Sequence, residues 1–377
     1  MKTAGIIFSN IHDSNIPELT RYRTLASIPF GCRYRLVDFA LSNMVNSDIN
    51  NISIITHYNY QSLMDHVGSG KDWDLARRSG GVKILPPYIT AYANNVNSLY
   101  NTRLEALKSV NYSISNINAD YVALSDCDVI CNIDLSAMIA DHVASGADIT
   151  MAVQRMHLTR EKAKANVIVK YDNTGRITDM EAYPTNFEGK ADINLNILVM
   201  SAAYLKEIVM DAIAHNYVSM TRDVFLRNLK HRNYRVYKFD GYFSCISSMS
   251  DYFRHNMELI SNEEGYRELF EIESRPIYTK VRNSAPTYYG PDAKVKDSLI
   301  ADGCRIYGTV ENSILFRGVK IGKNAIVKNS ILYQDVFTGE NVTLGYIVAD
   351  KNVVIRDGVT LSGHETLPFY IEKGKMV

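Results

Sequence analysis

Asp297-Ser298-Leu299-Ile300, Asn312-Ser313-Ile314-Leu315 and Asn329-Ser330-Ile331-Leu332 repeat one phrase at spacings of 15 and 17 residues. From about residue 283 to 365 the chain has one texture. It shows short β-branched steps, Gly and Asn at intervals, and no long helical pattern. Within it, Val336, Val342, Val348 and Val354 recur every six residues, and the pairs Ile300/Ile306 and Ile326/Leu332 share that step. Three six-residue faces make one coil of a triangular parallel β-helix. The aliphatic residue at each sixth position is then expected to point inward and stack on its copy one coil away. A β-sandwich is the competing reading. A β-helix has open ends and flat faces, so it is expected to pack on another domain or subunit.

Upstream, the first ~270 residues alternate apolar runs with helical periodicity. Strands are expected at Ala4–Phe8, Ile52–Thr56, Tyr121–Leu124, Asp148–Gln154, Val167–Tyr171 and Ile197–Met200. Helices are expected at Arg35–Asn46, Gln61–His66, Asn97–Val110 and Met249–Ser261, with Asn173-Thr174-Gly175-Arg176 as a turn. Such alternation implies a mostly parallel sheet with helices on both faces, and ligands at the carboxyl ends of its strands. The division expected is residues 1–270, a linker at 271–285 around Arg275-Pro276, and the β-helix at 286–377.

With 377 residues, the chain is long enough for one large core and a second domain. Lys+Arg and Asp+Glu both number 41, and this balance argues against a global electrostatic grip on nucleic acid or an anionic membrane. Five scattered cysteines make no disulfide framework, and no signal peptide or membrane span is evident. A cytoplasmic protein is expected.

The stretch Ile28-Pro29-Phe30-Gly31-Cys32-Arg33-Tyr34-Arg35-Leu36-Val37-Asp38-Phe39-Ala40-Leu41-Ser42-Asn43 closely resembles the glucose-1-phosphate adenylyltransferases (ADP-glucose pyrophosphorylases), which read PFGGxYRxIDFxLSN there. Asn46-Ser47-Asp48-Ile49, Trp73-Asp74-Leu75 and Gly81-Val82-Lys83-Ile84-Leu85-Pro86-Pro87-Tyr88 continue the match in order. The resemblance covers essentially the whole chain. It implies an α/β, Rossmann-like (GT-A-like) nucleotidyltransferase domain, then a left-handed parallel β-helix of hexapeptide repeats. The family joins ATP to glucose 1-phosphate and releases pyrophosphate. Such chemistry needs a glycine-rich turn against the triphosphate, cations on the phosphates, a lysine near the sugar phosphate, and carboxylates for Mg²⁺.

Set against that pattern, the parts are missing. The glycines of the family's LAGGxGTRL loop fall on Asn10, Ile11 and Asp13, and its arginine on Asn15. The later Lys-Pro falls on Leu25-Ala26. The sugar-phosphate lysine falls on Tyr183, the second metal carboxylate on Cys245, and the Gly-Thr-Ala turn on Asn94-Asn95-Val96. What survives is Asp126-Cys127-Asp128, with Asp128 or Asp126 as counterpart of the family's metal aspartate, and Arg222-Asp223 near the sugar position.

Losses sorted to the reaction centre resemble the noncatalytic GlgD-type subunits of bacterial glycogen biosynthesis. That resemblance implies a regulatory role in a hetero-oligomer, a heterotetramer with a catalytic adenylyltransferase subunit. It implies no intrinsic cofactor, with Mg²⁺ needed by the catalytic partner. Family members bind phosphorylated activators near the amino terminus, so Arg21, Arg23, Arg33 and Arg35 are candidates for a sugar-phosphate effector. Two other readings are kept. One is an active sugar-phosphate nucleotidyltransferase with rearranged ligands, drawing a cation from Lys83 or Arg222. The other is a metabolite-sensing scaffold.

Overall fold

The structure is a computed structural model that describes residues 1–86 and 100–377. Among these residues the main sheet has nine strands: β1 (Thr3–Phe8), β2 (Asn51–Ile55), β3 (Gly81–Leu85), β4 (Tyr121–Asp126), β5 (Ile149–Leu158), β6 (Val167–Tyr171), β7 (Ile177–Ala182), β8 (Gly189–Ser201) and β9 (Tyr234–Lys238). Its order is β7-β6-β8-β4-β1-β2-β3, with β5 pairing both β8 and β9. The pairs β1/β2, β1/β4, β2/β3 and β5/β9 are parallel. Everything around β8 is antiparallel, as is the β6/β7 hairpin. The expected mostly parallel sheet is thus parallel on one side and mixed on the other, because β8 turns back to lie against three strands at once. Two buried clusters cover its faces. One gathers Leu104, Leu107 and Leu205 over Ile6 and Leu124, and the other gathers Leu41, Met44 and Leu63 over Ile7 and Ile54.

The quoted stretch at residues 28–43 forms a seam. Pro29–Phe30 pairs with Tyr34–Arg35 in a tight hairpin, and Gly31 and Cys32 turn it at positive φ. The helix Leu36–Val45 follows. Its Asp38 accepts hydrogen bonds from the Arg35 amide at 3.0 Å and from His66 Nε2 at 2.6 Å. The helix read at Asn97–Val110 begins, among the described residues, at Arg103, where Thr102 caps it. The acidic stretch after Met249–Ser261 forms a further helix, Glu263–Phe270, capped by Asn262. Asn262 and the glutamates of its first turn are what a helix start uses.

The C-terminal strands stack as three five-stranded parallel sheets, which makes a three-sided β-helix. Successive coils are mostly 15 or 17 residues apart, as in Leu299↔Ile314, Ile314↔Ile331 and Ile331↔Val348, and the last, Val348↔Tyr370, is longer. The echoing phrases mark one corner. Asp297, Asn312 and Asn329 lie at positive φ there, and Asn312 Nδ2 donates to Asn329 Oδ1 at 2.6 Å. The serines that follow form a ladder, in which Ser298, Ser313 and Ser330 each accept from a backbone amide of the next coil.

These short coils correct the six-residue expectation. Val336, Val342 and Leu332 do lie in the coil interior. Ile326 is 38% exposed, and Val348 instead faces the first domain. A coil shorter than 18 residues moves the inward position at each corner. The sheet holding Ile314, Ile331 and Val348 is buried on both faces. Those residues pack outward onto Phe30, Phe39, Tyr252 and Phe253, while Leu315 and Leu332 fill the interior.

Candidate functional site

The parallel strands β1 and β4 run side by side and end together, with Phe8 opposite Asp126. The loop after β1 then carries Asn10, His12 and Asp13 across the carboxyl end, and the turn after β4 carries Asp128. The helix beginning at Arg103 aims its first side chain at the same point. Arg103 Nε donates to both carboxylate oxygens of Asp126, at 2.8 and 2.9 Å, and Nη2 adds a further close contact. His12 Nε2 lies 3.2 Å from Asp126 Oδ2 and 3.5 Å from Asp128 Oδ2. Cys245 Sγ points at Asp128 Oδ2 from 3.5 Å. Among the described residues, Asp128 Oδ1 is buried with no partner, and of the four carboxylate oxygens it alone lacks one there.

The electrostatics follow from this packing. Burial opposes charge on Asp126, but Arg103 and His12 outweigh it and hold the carboxyl below its usual range. Asp128, lacking the guanidinium contact, is pushed up by burial and by Asp126. Burial likewise works against protonation of His12, yet Asp128 and Asp126 carry its pKa upward. The Cys245 thiol is driven well above its usual range by burial and by Asp128. It is therefore a poor nucleophile.

His12, Arg103, Asp128, Tyr183, Asn194 and Cys245 line a cavity of about 400 Å³. A second lobe of about 510 Å³ shares Cys245 and Ser247 with it. Asn15 stands on the wall of the first lobe. Tyr183 is 52% exposed at positive φ, with its amide held by the Asn166 carbonyl.

The loop that would approach a triphosphate is filled by its own side chains. Asn10 is buried and accepts from Tyr100 Oη at 2.9 Å, and Ile11 packs on the core. Asp13 accepts the Leu25 amide at 2.7 Å, and burial raises its pKa to about 7. Leu25 itself is buried. The Asn94-Asn95-Val96 segment, and Pro87-Tyr88 of the longer match, lie outside the described residues.

Arg222 and Asp223 do not join this cluster. They sit in a wide helical turn, Met220–Leu226, and Asp223 Oδ2 accepts the Val218 and Ser219 amides at 2.9 and 2.8 Å. Asp223 is a capping residue here, and exposed Arg222 rests on it at 3.3 Å. Lys83 is an exposed residue of β3.

The basic stretch divides. Arg21 reaches Glu372 at 2.7 Å on the surface. Arg23 is buried, with Nη2 at 2.8 Å from both oxygens of Asp350 on the β-helix and Nη1 without a partner among the described residues, so it is placed as a structural ion pair rather than on an open surface. Arg33 and Arg35 do line a small cavity, of about 40 Å³, at the seam between the domains, together with Arg282, Arg317 and Lys351. Burial and the neighbouring Arg35 and Arg23 lower Lys351 to about 7, and burial lowers Arg35 to about 10. Sequence reasoning missed Lys351, Arg282 and Arg317, which come from distant coils and the linker.

It also missed Arg103 and His12. The signal for Arg103 was present. Thr102-Arg103-Leu104-Glu105 is a capping-box pattern that puts Arg103 at the first helical position. Nothing in the sequence aims it at Asp126.

The donor set does not fit Mg²⁺. That ion wants near-octahedral oxygen ligands. Here Asp126 is taken on both oxygens by Arg103, Asp128 offers one free oxygen, and the nearest side chain facing Asp128 from the neighbouring strand is the thiol of Cys245.

A nucleotide-type α/β sheet with its polar cluster at the ends of β1 and β4, joined to a three-sided β-helix, defines a sugar-nucleotidyltransferase-type protein. Residues 14–262 match the nucleotidyl transferase family, and residues 286–366 match the GlmU-like C-terminal hexapeptide family, whose repeats form a left-handed β-helix. The chain is 33% identical to the glycogen biosynthesis protein GlgD of Bacillus subtilis (strain 168), over 98% of this chain and 95% of that protein. It is 32% identical to the glucose-1-phosphate adenylyltransferase of Geobacillus stearothermophilus and 34% identical to the GlgD protein of the same organism, each over 86% of this chain and 83% of the relative. The chain belongs to the nucleotidyl transferase family, in the group formed by the glucose-1-phosphate adenylyltransferases and GlgD proteins. No helix among the described residues is long and apolar enough to cross a membrane.

Proposed function

We propose that this chain is a noncatalytic, regulatory subunit of glucose-1-phosphate adenylyltransferase in glycogen biosynthesis. It works in the cytoplasm beside a catalytic homologue, in a heterotetramer. The observation that carries this reading is the state of the reaction centre. The loop facing the phosphates holds Asn10, Ile11 and Asp13, and the one arginine that reaches the centre is bound to Asp126. Phosphoryl chemistry depends on free cations and a metal at the transferring group; here Arg103 is engaged by Asp126, Lys164 is a further cation on the cavity wall, and the carboxylates do not suit Mg²⁺. Mg²⁺ belongs to the partner's site in this reading. The seam cluster of Arg33, Arg35, Arg282, Arg317 and Lys351 offers cations that match phosphate oxygens, but its cavity of about 40 Å³ is too small for a whole sugar phosphate, which would have to open the seam to bind there.

The test is pyrophosphate release from ATP and glucose 1-phosphate with Mg²⁺. It compares this protein alone, the catalytic homologue alone, and the two co-expressed. Silence alone with an altered rate or effector response in the mixture is the expected result. Robust turnover by this protein alone refutes it and restores the rearranged-transferase reading. A mixture that neither associates on gel filtration nor changes the homologue's rate favours the metabolite-sensing scaffold.

A further inference from the structure

We infer that Arg103, with His12, is a built-in cation that takes over the charge-neutralising task of a divalent metal and closes the Asp126–Asp128 pair to one. The inference goes beyond the proposed regulatory role. It concerns what balances the charge at the strand ends, and its test involves no turnover, so either claim can fail without the other.

Two buried carboxylates one residue apart repel each other unless a cation lies between them. In this fold the cation is a side chain. Arg103 is the first residue of its helix, so its direction is set by the Thr102 cap and by the packing of Leu104 and Leu107 on the core. Its guanidinium plane faces Asp126 along the Nε edge, touching both oxygens. Its Nη2 also lies 3.3 Å from His12 Nε2, so the arginine, the histidine and the aspartates form one connected cluster. His12 in turn spans both carboxylates. An entering metal would have to displace the guanidinium from Asp126 and find its remaining ligands in one oxygen of Asp128, an imidazole and a buried thiol. While Arg103 holds Asp126, what is left for a hard divalent ion is too little to displace the guanidinium; with Arg103 removed, Asp126, Asp128 and His12 together can take one. An anion entering the cavity meets Arg103 and, at the rim, Lys164, with no metal between.

Mn²⁺ is the probe, because it mimics Mg²⁺ and its free form is counted by electron paramagnetic resonance. The full-length wild-type protein is expected to bind no Mn²⁺ that Asp128→Asn removes, and its Tm is expected to be unmoved by the ion. Arg103→Gln deletes the charge while keeping a polar side chain. It is expected to melt lower, to gain one Mn²⁺ site, and to recover several degrees of Tm as the metal replaces the lost cation. Arg103→Lys keeps the charge and is expected to stay closed to Mn²⁺. A stoichiometric wild-type Mn²⁺ site abolished by Asp128→Asn overturns the inference, as does a folded Arg103→Gln protein that ignores the metal. The wild-type titration decides the matter even where the glutamine variant is insoluble.

Discussion

Arg23→Met should separate a structural arginine from an effector ligand. Arg23 Nη2 touches both oxygens of Asp350 at 2.8 Å, and the two side chains are 3% and 1% exposed. The guanidinium also lies 5.9 Å from the Tyr333 ring. Removing it leaves a buried carboxylate with only the Tyr370 hydroxyl at 2.9 Å and the Lys351 amide at 2.6 Å. Breaking one side of a buried pair costs about 3–5 kcal/mol. The two remaining donors and the nearby Lys351 place this case at the low end, near 3 kcal/mol by the same rule. A chain of 377 residues unfolds with an entropy of roughly 0.8 kcal/mol/K, so Tm should fall by about 4 °C. The assay is calorimetry on Arg23→Met, Asp350→Asn and the double variant. A coupling energy of about 2 kcal/mol or more is expected. Coupling under about 0.5 kcal/mol refutes the structural reading. So does an unchanged Tm together with loss, in the proposed mixture with a catalytic homologue, of any response to sugar phosphate, which would make Arg23 an effector candidate again.

The seam cavity should be pH-sensitive. Lys351, lowered to about 7, is charged below that pH and neutral above it. Sulfate keeps its charge throughout, so its affinity, read by calorimetry, should fall up to about tenfold between pH 6 and 8 and flatten in Lys351→Met. In the anion-free protein the unfolded chain is the stronger proton binder at Lys351 between about 7 and 10.5, so this group's contribution to stability rises with pH across that window. Leu332→Ala empties a fully buried site in the coil interior and should cost about 2–5 kcal/mol in urea unfolding. Gly322→Ala would place a Cβ 2.2 Å from the Gly339 carbonyl oxygen, a backbone atom that has no free direction to move. It should cost roughly 1–3 kcal/mol, measured the same way.

The β-helix was legible because its repeat is local. Each coil must return to the same corner, and the corner residue is an Asn or Asp in the left-handed region followed by a serine, so the phrase is written directly in the sequence. What the six-residue count missed was that most coils are 15 or 17 residues long, which sent Ile326 outward and Val348 onto the first domain. The strands β1, β2 and β4 were legible for a similar reason, as apolar runs between helical stretches. The antiparallel set around β8 was not. Ile193, Ile197 and Leu198 meet three different strands, and no short-range pattern encodes which strands those are.

The candidate site divides along the same line. Its departures from the motifs it resembles were legible as residue types at motif positions: Asn10, Ile11 and Asp13 in a loop, Tyr183 before a proline, Cys245 where the resemblance puts a carboxylate. Its gains were not, because Arg103 and His12 lie 91 residues apart and meet only across the sheet. The losses and the gain are physically coupled. A buried Asp126 beside Asp128 is tolerable in this fold only with positive charge at hand. With a thiol beside Asp128 where the resemblance puts a carboxylate, a divalent metal would lack that ligand while the aspartates keep their need for a cation. Arg103, fixed at a capped helix start, meets that need without any ligand from outside. A strand-end carboxylate pair is therefore weak evidence for catalysis by itself. Whether its oxygens face the cavity or a neighbouring guanidinium decides what the pair can do, and here three of the four have partners within the protein.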